Sequence, residues 1–143
     1  MAADLRIAGE GASFALPPAN LGLTLPRDDL RRIIEAIGKN TAKDLLFTAR
    51  IFGSQEAEDM GLLNRSVPRG EALKSARDLA HHISKLSQWS HQTAKRMITN
   101  IDSDDPKHAT EGDALFVDGF ENEDFREGYA AFMEKRKPDF GIS

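Results

Sequence analysis

Four histidines, two adjacent acids and one compact basic cluster are the residues of this 143-residue chain whose types and spacing could do chemistry. His81-His82 suggests a metal pair, but neighbours on a helix point about 100° apart, whereas chelating pairs sit at i, i+4 on one face. A structural or surface role fits them better. His91 and His108 have no serine or carboxylate at a spacing that defines a nucleophilic site, so both are read as solvated. Asp28-Asp29 admits two readings: paired acids for proton transfer, or acids favoured by the positive end of a helix dipole. Lys135-Arg136-Lys137 could meet phosphates, and it could equally be the cationic end of a helix. Gly9-Glu10-Gly11 lacks the Lys and Ser/Thr of a phosphate loop and reads as a turn between strands. There is no cysteine, which removes disulfides, thiolate metal sites and thiol nucleophiles.

Composition narrows the class further. Hydrophobic residues make up 40% and charged residues 29%, values of a globular rather than a disordered chain. A net charge of −4 gives no global attraction for nucleic acid or an anionic membrane surface. No apolar run approaches the roughly 18 residues that span a bilayer, and the start lacks the pattern of a signal peptide, so a cytoplasmic protein is expected. The length suits one core.

The elements that must hold these residues follow from hydrophobic period and breakers. Asp4 to Ala8 and Ala12 to Leu16 read as short strands around the Gly9–Gly11 turn. A chain that opens almost inside a strand leaves an edge to cover, so a preceding N-terminal part is expected. Pro17, Pro18 and Pro26 exclude regular helix from Ala19 to Leu25 and predict an ordered loop. Leu30, Ile33, Ile34 and Ile37 predict a helix from Arg27 to Gly38, and Thr41 to Thr48 a second one burying Leu45, Leu46 and Phe47. Ser54 is the expected N-cap of a short helix through Met60, followed by a strand from Leu62 to Val67. Helices are predicted around Leu73 to Ile83 and Trp89 to Ile98, with Ser87 and Ser90 as cap candidates. Asp105-Pro106 starts another helix, and Asn122 a last one carrying Phe125, Tyr129, Phe132 and Met133, ended by Pro138.

Four segments in order, AADLRIAGEGASFALP, NLGL, LLFTARIFGSQEAEDMGLLNRSVP and DFREGYAAFMEKRKPDF, resemble the second half of crotonase-superfamily (enoyl-CoA hydratase/isomerase) proteins. The resemblance implies the C-terminal portion of an α/β crotonase-type fold, mainly α-helical with short N-terminal strands. Residues 1–67 would be the end of the spiral core with its acyl-pocket loop, and 68–143 a helical region for oligomerisation and coenzyme A contact.

It also implies action on acyl-CoA thioesters through enolate stabilisation, with coenzyme A as part of the substrate and neither a metal nor another cofactor. In that family two backbone N–H donors form the oxyanion hole, and the segments carrying them are expected before residue 1. Of the two hydratase glutamates, one would also precede Met1, and Pro18 stands at the position of the other. A proline has no proton to exchange, so the chain alone is expected to be inactive. Pro18 with Asn20-Leu21-Gly22 looks more like members that decarboxylate malonyl-type thioesters, although Leu25 stands where those have a loop tyrosine.

Pro17, Leu21, Gly22, Leu25 and Asp28 are the implied substrate-pocket residues. Phe132 and Lys135 correspond to an aromatic and a lysine that reach the adenine and phosphate region of coenzyme A, unless Phe132 is simply core and Lys135 solvated. The family's helical layer packs subunits, so a homo-oligomer, trimer or hexamer, is the implied partner besides acyl-CoA. A non-catalytic oligomerisation or coenzyme A-binding module is the alternative function.

Overall fold

Two short sheets open the chain in the computed structural model, which describes residues 3–101 and 106–141. Strand β1 (Ile7–Gly9) pairs in parallel with β4 (Arg65–Val67), in the register Ile7 with Arg65 and Gly9 with Val67. Strand β2 (Ser13–Ala15) pairs antiparallel with β3 (Ile51–Gly53), Phe14 opposite Phe52. The Gly9–Gly11 turn therefore joins strands of different sheets. Its tightness rests on Gly11, whose φ of 87° is left-handed and where a Cβ would overlap the Arg69 guanidinium.

A 3₁₀ turn at Pro18–Leu21 lies inside the segment expected to be loop. Pro18 suits its first position, where the missing N–H is no loss, and Gly22 closes it at φ 65°. Helix α1 (Arg27–Thr48) consists of two arms broken at Gly38, where the sequence predicts a stop. Ile33 and Ile37 of the first arm and Ala42 and Leu45 of the second are buried. Phe47, expected in the core, is 78% exposed. Two residues from Leu45 it lies about 200° round the helix, so both cannot face one core.

Strand β3 is not marked as a separate element by the hydrophobic pattern. After it, helix α2 (Ser54–Asp59) is capped by Gly53 rather than Ser54. Ser54 is buried in the first turn, and the Ser66 hydroxyl donates to its Oγ at 2.9 Å. The strand expected from Leu62 contracts to Arg65–Val67, since Leu63 is bound through its N–H to the Ala57 carbonyl at the end of α2. Ile33, Ile37, Leu45, Phe52, Ala57 and Leu63 make the apolar cluster, with Phe14 stacked on Phe52 at 5.8 Å.

The chain divides into two compact units, Met1–Asp78 and Leu79–Ser143, in place of the single core expected from length. The division falls within α3 (Ala72–Ile83). In the second unit α4 (Gln88–Asn100) is capped by Ser87, whose Oγ accepts from the Ser90 N–H and donates to Asp124 at 2.6 Å. Helix α5 (Pro106–Asp118) follows; the predicted cap Asp105 lies outside the described residues. Helix α6 (Glu123–Met133) starts at Asn122, whose side chain accepts from the Phe125 N–H at 2.8 Å. It ends before Pro138, because Lys135 turns left-handed at φ 55°.

Candidate functional site

The first unit holds an apolar cavity of about 360 Å³ walled by Leu16, Leu25, Ile33, Ile37, Leu45 and Leu62. Its size falls in the range of small-molecule sites. Asp29 and Arg32 supply its charged lining, paired at 3.3 Å one turn apart on α1. The extended backbone of Pro26 sets where α1 begins, so that Leu25 precedes the helix and Asp29 and Arg32 stand near its start. Among the implied pocket residues, Leu25 lines this cavity. Pro17, Leu21, Gly22 and Asp28 are exposed, Leu21 at 69%, and form none of its wall. Pro18 is half-buried at the head of the 3₁₀ turn.

In the second unit the end of α6 presents Phe132, 80% exposed, which rules out its reading as core. Lys135 is exposed too, with no ion-pair partner among the described residues. Its neighbour Arg136 is occupied: its guanidinium bonds to both oxygens of Glu127, at 2.5 and 2.9 Å, and to Glu134 at 2.6 Å. The Arg136 guanidinium, with the Asp139 N–H, holds the Glu127 carboxyl down at about 2. The KRK cluster thus splits into a structural arginine and a cation open to solvent.

Beside this end runs an exposed aromatic row. Phe116 meets Phe120 edge-on at 5.3 Å, Phe120 meets Phe125 at 5.5 Å, and Phe125 stacks near Tyr129 at 6.3 Å. Trp89, Met97 and Leu115 complete a second apolar hollow of about 330 Å³ with Phe116, Phe120 and Phe125.

The enoyl-CoA hydratase/isomerase family matches this sequence over residues 1–142. The chain belongs to that family. A crystal structure of an enoyl-CoA hydratase/isomerase family protein from Hyphomonas neptunium superposes with a TM-score of 0.90 at 47% identity, over 99% of this chain and 54% of that one. The enoyl-CoA hydratase EchA19 of Mycobacterium tuberculosis is 35% identical over 138 residues, 96% of this chain and 52% of the relative. The methylmalonyl-CoA decarboxylase of Escherichia coli is 30% identical over 145 residues, 98% of this chain and 55% of the relative. The chain spans about half the length of the curated relatives it matches. The fold is accordingly crotonase-type.

Within this chain the histidines divide. His81 and His82 are exposed on α3. His91 and His108 are half-buried rather than solvated, and the Nδ1 of each is shielded from water without a partner. Among the described residues no group of three metal-ligating side chains exists, and no helix is long and apolar enough to cross a membrane. In the sequence Asp29 reads first as the neighbour of Asp28 rather than as the partner of Arg32. The i, i+3 spacing is the signal that points to the pair.

Proposed function

We propose that this chain supplies acyl-pocket wall and coenzyme A contact to an enzyme that stabilises the enolate of an acyl-CoA thioester. The observation that carries the reading is the pairing at the end of α6: an aromatic ring 80% exposed at Phe132 and, three residues on, the uncommitted ammonium of Lys135. Exposing a Phe forgoes burial worth about 1.5–3 kcal/mol, so such a ring favours a flat apolar occupant. Adenine is one, and the lysine beside it suits a phosphate. The first-unit cavity fits the acyl part by its aliphatic walls.

This chain alone carries out no turnover. Proton addition in a hydratase needs positioned carboxylates, and Pro18 offers none at the matching place. The likeness to both a hydratase and a decarboxylase leaves enolate stabilisation as the shared step.

Calorimetric titration of the chain with coenzyme A tests the claim. Binding should weaken at least about fivefold, roughly 1 kcal/mol, in both Phe132→Ala and Lys135→Met. Equal affinity in wild type and both variants would sink it. Turnover of crotonyl-CoA or malonyl-CoA by the isolated chain should be undetectable; clear turnover would overturn the inactive part.

The aromatic row favours a second reading, a non-catalytic module that packs copies of itself into a trimer or hexamer. Sedimentation equilibrium decides it, and a monomer at high concentration would remove it.

A further inference from the structure

We infer that the Asp29–Arg32 pair decides which acyl tails the first-unit cavity accepts: uncharged tails enter, and tails long enough to carry a terminal carboxylate into the cavity are refused. This rests on the acyl-CoA reading above and adds a specificity to it.

Six aliphatic side chains wall the cavity, so a charged group inside would lose its hydration with little in return. Among the described residues Arg32 is the one cation that lines it and would be the natural receptor for a carboxylate, since a guanidinium holds both oxygens of such a group. Asp29 already occupies it. Their contact is a single one, Arg32 Nη1 to Asp29 Oδ1 at 3.3 Å, which leaves donors of the guanidinium unused while the aspartate charge repels any second anion.

The pair is therefore a receptor held shut by its own counter-ion. Both side chains are about half exposed, 54% for Arg32 and 53% for Asp29, so the effect should be moderate. Asp29→Asn keeps the shape, removes the negative charge and leaves Arg32 free to take a carboxylate.

The experiment measures the affinity of the chain for hexanoyl-CoA, for hexanedioyl-CoA, whose tail ends in a carboxylate, and for coenzyme A alone. Wild type should prefer hexanoyl-CoA. In Asp29→Asn the preference should fall by about fivefold, the size a partly exposed ion pair supports. The double variant Asp29→Asn/Arg32→Gln should regain it, with circular dichroism confirming that each protein is folded. An unchanged preference in folded Asp29→Asn overturns the inference while leaving coenzyme A binding in place. Hexanoyl-CoA binding no tighter than coenzyme A alone overturns it as well. If neither thioester nor coenzyme A binds, the acyl-CoA reading fails and takes this inference with it.

Discussion

The first unit buries Leu45 completely and Ile33, Ile37, Phe52 and Leu63 nearly so, whereas the second buries, among the described residues, only Ser87 and Ala131. Its large side chains, Phe116, Phe120, Tyr129 and Phe132, stand open. The contrast teaches that one family segment can hold its parts by different physics. Aliphatic packing stabilises the first unit, while caps, ion pairs and ring contacts carry the second.

The sharpest way to break this comparison is Leu45→Ala. Truncating a fully buried leucine typically costs about 2–5 kcal/mol, so the urea midpoint followed by circular dichroism should drop strongly. Trp89 is the only tryptophan and belongs to the second unit, so its fluorescence should move less. Equal shifts of both signals would erase the distinction.

Ser87→Ala comes next. It removes the α4 cap and the bond to Asp124, a loss of about 1–2 kcal/mol that Trp89 fluorescence should register. No shift would show that the cap is dispensable and that the second unit rests on something else.

Phe120→Ala should cost about 1 kcal/mol or less in stability, because its ring is 56% exposed and gains mainly from its two edge-on contacts. A cost approaching that of Leu45→Ala would mean that the row is a core after all.

The smallest expected effect is electrostatic. Glu127 titrates near 2 instead of its ordinary 4.5, so the folded state binds its proton less readily than the unfolded chain. Its stabilising contribution is complete above about 4.5 and is lost as the pH falls towards about 2. Arg136→Met should flatten stability against pH within that window. A slope identical to wild type would remove Glu127–Arg136 from the account.

Local signals are legible in the sequence. Ser87 and Asn122 announced α4 and α6 because a cap acts within three residues, and Gly38 marked the break in α1 for a similarly local reason. What escaped depends on distant partners. Ser54 looks like a cap until Ser66, twelve residues on, engages its hydroxyl. Strand β3 is three residues long and owes its existence to β2. For the candidate site, resemblance alone names Phe132, Lys135 and Leu25, and of the five pocket residues it implies only Leu25 lines the cavity. The cavity itself is not legible, since Leu16 and Leu62 reach it from segments 46 residues apart.

Gly38 holds φ 76° and ψ 161°, a backbone region that is essentially glycine's alone, and a Cβ there would meet nothing within 4 Å. Space is thus free and only the torsion is forbidden. Continued without the break, the 22 residues of α1 would form a rod of about 33 Å, with Ile37 and Leu45 more than two turns apart along it. Glycine works here as a mitre joint, letting two short beams close on one corner. The choice between corner and beam comes down to whether a single carbon hangs from the chain at that residue.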